Sequence, residues 1–244
     1  MNRGSGKLIF ALDGIRERQE VENWVKRLYP LVYRFKVGQE LFTREGPEVV
    51  KTIRGAGGEV FLDLKFHDIP ETVGRAVEAA SRLGVEILNV HALGGKTMMK
   101  AAREAASAGD EGKAGKAPRI VAVTVLTSLN QNDLREMGLK IEMEKLVLNL
   151  ARLAREAGLD GVVASPWEAR AIRRELGEDF LIITPGIRSG TGKNDDQKRV
   201  STPESALAAG ANLIVVGRDI RNAEDPVGQA RAIEARIAQL GKNG

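Results

Sequence analysis

Short apolar runs alternate with amphipathic stretches along the whole chain. The runs are mostly continuous rather than interrupted at every second position, which is typical of parallel strands covered on both faces. Eight of them are predicted as strands: Leu8–Leu12, Val32–Val37, Val60–Leu64, Ile87–Val90, Ile120–Leu126, Gly161–Ala164, Leu181–Thr184 and Leu213–Val216.

The stretches between these runs carry helical patterns. One opens at Pro70, places apolar residues on a single stripe and ends at Gly84; another spans Glu142–Ala157. Pro166 and Pro203 each stand where a first helical turn should begin. Eight strand–helix units in about 250 residues predict an α/β fold, a single-domain (β/α)8 TIM barrel spanning residues 1–244. A doubly wound open sheet is the alternative.

Three segments depart from this pattern. Residues 1–6 are expected to be a flexible N-terminus. Residues 108–118 are small and polar and lead into the fifth strand, so we read them as a loop insertion on the amino-terminal face of the barrel. Residues 186–199 follow the seventh strand, and a structureless stretch this long often closes over a ligand.

Composition excludes several classes of protein. Of the 244 residues 43% are hydrophobic and 29% charged, which is too apolar for a disordered chain. No apolar run approaches the ~20 residues of a membrane span, and no signal peptide is visible. There is no cysteine, so disulfides and thiolate chemistry are excluded and a reducing cytoplasm is expected. The net charge of +4 comes from interleaved charges, which does not favour nucleic-acid binding.

Charged residues stand at the carboxyl ends of the first three strands, where TIM barrels place their active sites. Asp13 follows the first strand, Lys36 ends the second, and Asp63 and Lys65 end the third. Because Asp63 and Lys65 are two positions apart in a strand, both face the barrel interior. Buried charges must be paired, so an alternating chain of Lys36, Asp63, Lys65 and a further carboxylate is predicted. A purely structural ion-pair network is the alternative.

The end of the eighth strand predicts an anion site. Gly217 allows a backbone N–H to approach an oxyanion, and Arg218 supplies a fork of donors. Loops after the seventh and eighth strands commonly bind phosphate in this fold. Ser189–Lys193 is similar to a P-loop but lacks its first glycine. The only histidines, His67 and His91, lack metal-ligand spacing, so they are predicted to pack or to hydrogen-bond.

The sequence from Asp63 to Thr72 resembles the DxKxxD signature of the orotidine 5′-phosphate decarboxylase family in its bacterial form. The resemblance covers nearly the whole chain. It includes FALD around Asp13, FKVG around Lys36, TVLTS around Thr127, TPGIR over Thr184–Arg188, Gln197, and VGRDI around Arg218.

The resemblance implies a metal- and cofactor-independent decarboxylation of orotidine 5′-phosphate to uridine 5′-phosphate, the last step of UMP synthesis. Lys65 is implied as the general acid that protonates C6, with Asp63 beside the substrate carboxylate and Lys36 pairing it. Asp68 and Thr72 are implied to reach the active site of the other subunit of a homodimer.

The family also implies how the rest of the substrate is held. Asp13 and Lys36 would hold ribose hydroxyls. Thr127 and Pro185 would contact the substrate, Thr127 at the pyrimidine ring. Gln197 would touch both base and phosphate, and the phosphate end is implied for Arg188, Gly217 and Arg218.

Two alternative functions share part of this pattern. Magnesium-dependent 3-keto-L-gulonate-6-phosphate decarboxylase and hexulose-phosphate synthase share DxKxxD, but they carry a glutamate metal ligand at the end of the second strand. This chain has Lys36 there, and a cation would repel Mg²⁺. A non-catalytic nucleotide-binding barrel is the other alternative, and it would have no need of Lys65.

Overall fold

A computed structural model describes residues 4–108, 117–188 and 201–240. Within these ranges, eight parallel strands close into a barrel in sequence order. The strands are β1 (Leu8–Ala11), β2 (Arg34–Gly38), β3 (Glu59–Phe66), β4 (Ile87–His91), β5 (Arg119–Val123), β6 (Gly161–Val163), β7 (Leu181–Thr184) and β8 (Leu213–Val216). Leu8 pairs with Ile214 where β1 meets β8. This closure confirms the predicted (β/α)8 barrel and excludes the open sheet.

Helices cover the outside of the barrel. Those in the described ranges are α1 (Arg18–Leu28), α2 (Gln39–Glu45), α3 (Glu48–Gly55), α4 (Pro70–Ser81), α5 (Gly95–Ala108), α6 (Gln131–Glu136), α7 (Met143–Glu156), α8 (Pro166–Leu176), α9 (Pro203–Ala208), α10 (Arg218–Arg221) and α11 (Pro226–Leu240). A 3₁₀ turn, Ala92–Gly94, precedes α5.

Strand side chains divide between two apolar clusters. Ile9 and Phe61 belong to a cluster inside the barrel, whereas Phe10 and Leu62 belong to the larger cluster between sheet and helices. All four are at most 2% exposed. Because both faces of each strand are covered, the strands need apolar residues at nearly every position, which explains the continuous runs in the sequence.

Four helices begin at a proline: α4 at Pro70, α8 at Pro166 and α9 at Pro203, as predicted, and α11 at Pro226. Proline suits this place because its missing N–H would have no helical partner. The hydroxyl of Ser165 caps α8 by accepting the N–H of Trp167 at 3.2 Å.

The strand ends differ from prediction in two places that matter for the site. β3 continues past the predicted Leu64 to Phe66, and β5 stops at Val123, short of the predicted Leu126. β5 stops there because its partner β6 ends at Val163, whose carbonyl accepts a last hydrogen bond from Thr124 N–H.

The predicted insertion at 108–118 begins at the last residue of α5 and leads into β5. Its two ends therefore lie at the amino-terminal face of the barrel, opposite the predicted site, although residues 109–116 lie outside the described ranges.

Candidate active site

Four charged side chains meet at the carboxyl ends of the first three strands. Asp13 follows β1, Lys36 lies in β2, and Asp63 and Lys65 lie in β3. Lys36 Nζ is 2.7 Å from Asp13 Oδ1 and 3.2 Å from Asp63 Oδ2. Lys65 Nζ is 2.6 Å from Asp63 Oδ1. The four groups form the alternating chain of charges expected from the sequence, and Asp13 is its further carboxylate.

The middle of this chain is withdrawn from water. Lys36 and Asp63 are each 8% exposed. Burial by itself would raise the pKa of Asp63, but the ammonium groups of Lys36 and Lys65 outweigh it and lower the pKa to about 2. Burial likewise opposes the charged form of Lys36, whereas Asp63 and Asp13 raise its pKa overall. Both groups therefore stay charged at neutral pH.

Asn89 of β4 completes the cluster, and the sequence analysis did not select it. Its Nδ2 donates to Asp63 Oδ1 at 2.7 Å, and its Oδ1 accepts the backbone N–H of Lys65 at 2.8 Å. The signal was present in the sequence, because a carboxamide stands in the middle of the apolar run Ile87–His91. Such a group is tolerated inside a barrel only when it is hydrogen-bonded.

A cavity of about 400 Å³ opens beside the charge chain. Nine residues selected from the sequence line it: Asp13, Lys36, Asp63, Lys65, Thr127, Pro185, Arg188, Gly217 and Arg218. Apolar side chains from several strands, including Phe61, Val163 and Val215, complete the lining. Its volume and its mixture of apolar walls with a few polar groups are typical of a small-molecule site.

Two arginines and a glycine lie at the end of the cavity remote from Lys65 along the barrel rim. Arg188 follows β7, and its backbone N–H donates to the carbonyl of Ser201 at 2.9 Å. Gly217 links β8 to Arg218 at the start of α10. A Cβ at position 217 would lie 3.2 Å from the Ala11 Cβ, so this close approach of β8 to β1 favours glycine.

Arg221 is a second residue that sequence analysis missed. Its guanidinium lines the cavity and donates to the backbone carbonyl of Asp13. Gly14 makes room for it: its φ is +75°, and a Cβ there would overlap the guanidinium of Arg221. The contact ties α10 to the turn that carries Asp13.

The two histidines stack beside the site, with ring centroids 5.3 Å apart and planes inclined by 17°. His91 Nδ1 accepts the N–H of Leu93 at 3.3 Å. Burial, the neighbouring His67 and Lys65 lower the pKa of His91 to about 4, so its ring is neutral at pH 7. The predicted packing and hydrogen-bonding role is confirmed.

Within residues 4–108, 117–188 and 201–240, no group of three or more His, Asp or Glu side chains is arranged to hold a metal ion. In the same ranges, no helix is both long and apolar enough to cross a membrane.

Comparison with known proteins identifies the family. The model of a family described as "Orotidine 5′-phosphate decarboxylase / HUMPS family" matches residues 6–233. The chain belongs to this family.

Individual relatives agree with the family model. Proteins named orotidine 5′-phosphate decarboxylase from Syntrophotalea carbinolica and Moorella thermoacetica are 52% and 53% identical to it. The first match covers 95% of both chains, and the second covers 96% of this chain and 93% of its relative. A crystal structure of orotidine 5′-phosphate decarboxylase from Lactobacillus acidophilus has 38% identity and a TM-score of 0.83, covering 96% of this chain and 98% of that one. The resemblance stated from the motifs is thus confirmed.

Two residues that the family motifs select do not line this cavity. Asp68 and Thr72 are exposed and do not line it. Asp68 Oδ1 accepts the N–H of Ile69 at 2.6 Å, at the turn between β3 and α4. Gln197 and residues 189–199 of the expected closing loop lie outside the described ranges.

Proposed function

We propose that this chain decarboxylates orotidine 5′-phosphate to uridine 5′-phosphate and CO2, without a metal or organic cofactor. The observation that carries the proposal is the position of the Lys65 ammonium, at the cavity-lining end of a buried chain of alternating charges. Relatives that are about half identical over nearly the full length carry the name of this enzyme.

The reaction requires stabilisation of a carbanion. The bond between C6 and its carboxylate breaks, CO2 leaves, and the electron pair stays on C6, where no adjacent carbonyl delocalises it. A fixed ammonium group near C6 stabilises the developing charge and then donates its proton to that carbon. In this proposal Lys65 is the donor, and solvent returns the proton to its neutral amine after turnover.

Asp63 holds the Lys65 ammonium by direct contact at 2.6 Å. In the proposed complex the Asp63 carboxylate also lies beside the substrate carboxylate. Because the pKa of Asp63 is about 2, that carboxylate remains ionised in the neutral range. Like charges held close together favour loss of the substrate carboxylate as CO2, although Lys65 between them limits the repulsion.

Each of the other lining residues is assigned to one part of the nucleotide. Asp13 and Lys36 are assigned to the ribose hydroxyls, and Thr127 and Pro185 to the pyrimidine side. The phosphate is assigned to three groups at the β7 and β8 ends: Arg188, Gly217 and Arg218. Gln197 is assigned to both base and phosphate. Their common cavity supports this division, except for Gln197, for which the family motif is the support.

We also propose a homodimer in which Asp68 and Thr72 of each subunit complete the site of the other. Both residues are exposed at the β3–α4 junction rather than turned into their own cavity. Ile69, next to Asp68 in the chain, and Leu93, in the 3₁₀ turn after β4, are 65% and 52% exposed. Such exposure is unusual for large apolar side chains and suits burial against a second copy. A cytoplasmic location is proposed from the absence of cysteine.

Lys36 is the feature that disfavours the magnesium-dependent alternative. Its Nζ already lies between the Asp13 and Asp63 carboxylates, at 2.7 and 3.2 Å. A divalent cation bound by those carboxylates would have to displace an ammonium group that both of them stabilise.

The test is direct assay of the purified chain with orotidine 5′-phosphate, following the loss of ultraviolet absorbance. Full turnover is expected both before and after exhaustive chelation with EDTA. Activity that chelation abolishes and Mg²⁺ restores would instead support the sugar-phosphate branch of the family. Binding of uridine 5′-phosphate with no turnover would mean a non-catalytic nucleotide-binding barrel.

A further inference from the structure

Asn89 contacts no part of the substrate in the proposed complex, yet it lies at the centre of the charged cluster. It is 0% exposed and sits in β4 between Leu88 and Val90, whose side chains pack outward against the helices. By strand alternation its own side chain points into the barrel, on the side of Ile87. A carboxamide in this position must have its hydrogen bonds made by the protein.

The reason for a carboxamide lies in an irregularity of the sheet. Pairing between β3 and β4 is regular up to Leu62 and resumes at Phe66, which lies opposite Val90. Residues 63–65 therefore face Asn89 alone, and the backbone of one residue cannot supply ladder hydrogen bonds to all of them.

Side-chain amides replace the missing ladder on both sides of this bulge. On the β4 side, Asn89 Oδ1 accepts the N–H of Lys65 at 2.8 Å. On the β2 side, Gln39 Nε2 donates to the carbonyl of Leu64 at 2.9 Å. The Lys65 backbone is held with φ +51°, the left-handed region that L residues with a long side chain seldom adopt.

The same carboxamide also orients the carboxylate. Asn89 Nδ2 donates to Asp63 Oδ1 at 2.7 Å, the oxygen that accepts Lys65 Nζ at 2.6 Å. One side chain thus holds the backbone of the lysine and the carboxylate to which its ammonium group is bound.

We propose that Asn89 is a positioning residue for the decarboxylation: it aims the Lys65 ammonium by holding the left-handed Lys65 backbone and the Asp63 carboxylate together. It does not itself line the cavity. The inference rests on the proposed function, since it concerns the transition state of that reaction. It predicts that Asn89 acts on turnover and not on the binding of nucleotide, because the ribose and phosphate contacts come from other strands.

The first test is Asn89→Ala, with Asn212→Ala as the matched control. Asn212 is also a carboxamide that accepts a backbone N–H of the neighbouring strand, that of Ile182 at 2.8 Å, but it lies just before the start of β8 and does not line the cavity. Asn89→Ala is expected to lower kcat at least about 100-fold while the Kd for uridine 5′-phosphate changes less than about threefold. Asn212→Ala is expected to keep kcat within about threefold of the wild type.

The second test is Asn89→Asp, which distinguishes a positioning role from a structural one. Protonated aspartic acid matches the carboxamide, because its carbonyl can accept from Lys65 N–H and its hydroxyl can donate to Asp63. Ionised aspartate offers no donor and repels Asp63, and this repulsion raises the pKa of the pair. The kcat of Asn89→Asp relative to wild type is therefore expected to rise at least about tenfold from pH 8 to pH 5.

Lys36, Lys65, His67 and His91 also face this point and are present in both proteins, so the ratio to wild type removes the pH dependence that the two proteins share. If Asn89→Ala does not fold, as judged by nucleotide binding, the pH-dependent ratio of Asn89→Asp carries the test alone. A kcat of Asn89→Ala within threefold of wild type, equal losses in kcat and nucleotide affinity, or a flat Asn89→Asp ratio would each overturn the inference. A wild-type chain that does not turn over orotidine 5′-phosphate would instead contradict the proposed function.

Discussion

Single residues at this site act through charges held away from water. Lys36 and Asp63 are almost fully buried, and each is stabilised by a partner of opposite sign on either side. Removing one member leaves an uncompensated buried charge, which is far more costly than losing a surface ion pair. Lys65 and Asp13, at the two ends of the charge chain, are more exposed and can be changed with less structural damage.

Lys65→Ala is expected to lower kcat by at least about 10³-fold, because the variant loses the group proposed both to donate the proton and to stabilise the carbanion. The Kd for uridine 5′-phosphate, measured by calorimetry, should change less than about fivefold, since the product needs no proton. Lys51→Ala, at an exposed lysine of α3, is the control. Activity within about tenfold of wild type would contradict the assignment of Lys65, because tenfold is only ~1.4 kcal/mol of barrier.

His91 gives a prediction about stability. Its pKa is about 4 in the folded protein against 6.5 for an ordinary histidine, so the unfolded chain binds the proton more tightly. The contribution of neutral His91 to the free energy of unfolding is complete above pH 6.5. It is lost as the pH falls toward 4, and the loss at pH 5 is about 2 kcal/mol. His91→Gln keeps a hydrogen-bond acceptor but cannot titrate, so it should lose less stability between pH 7.5 and pH 5.

Urea unfolding at both pH values and at one protein concentration measures this difference. Comparing the two proteins at the same two pH values removes the pH dependence that they share. Equal pH dependence of the free energy of unfolding in wild type and His91→Gln would show that His91 is protonated as easily in the folded state as in the unfolded one.

At the scale of elements, the proposed phosphate end and the proposed reacting end of the cavity belong to different strands. Lys65 is carried by β3, whereas Arg218 begins α10 after β8. Arg221 connects the ends by tying α10 to the Asp13 carbonyl. Binding energy from the phosphate can therefore support the geometry around the ribose and the charge chain instead of only lowering KM.

Arg218→Ala is expected to reduce kcat/KM for orotidine 5′-phosphate about 10- to 100-fold, the worth of a hydrogen bond to a charged group. Orotidine, which has no phosphate, should react equally slowly with wild type and variant, within about twofold. Arg231→Ala, at an exposed arginine of α11 outside the cavity lining, controls for the loss of one positive charge. A parallel loss with both substrates would show that Arg218 serves the fold or the base rather than the phosphate.

At the scale of the whole molecule, the two ends of the barrel differ: one carries a structural ion-pair network and the other carries the cavity. At the amino-terminal end, Arg34 and Arg119 both bind the Glu86 carboxylate, in a network that stabilises the strand starts. At the carboxyl end lie the cavity and, outside it, Asp68 with its exposed apolar neighbours. The proposed dimer assigns Asp68 to the cavity of a second copy.

Mixing two inactive variants tests this arrangement. Asp68→Ala and Lys65→Ala subunits, mixed equally and allowed to exchange, should recover about a quarter of wild-type activity, because half the dimers are hybrids with one intact site each. Hybrids are verified by a mass tag on one variant. No recovery in the presence of proven hybrids would mean that Asp68 acts within its own subunit.

Local sequence was sufficient to predict the secondary-structure elements and most of the polar residues that line the cavity. The apolar runs predicted the strands because a parallel strand buried on both faces needs apolar residues along its length. Polar residues at strand ends selected Asp13, Lys36, Asp63 and Lys65 because closure of a barrel brings all strand ends to one rim. Neither prediction depends on the register with which neighbouring strands pair.

The tertiary structure alone decided the contacts that depend on register and on packing between distant segments. Asn89 meets Lys65 and Asp63 only because the ladder between β3 and β4 is interrupted, and Arg221 reaches Asp13 only because β8 closes on β1. The physical reason is that hydrophobic periodicity reports which face of an element is buried. The partner of a buried polar group is set instead by a register shift or a turn, and these follow from the packing of the whole barrel.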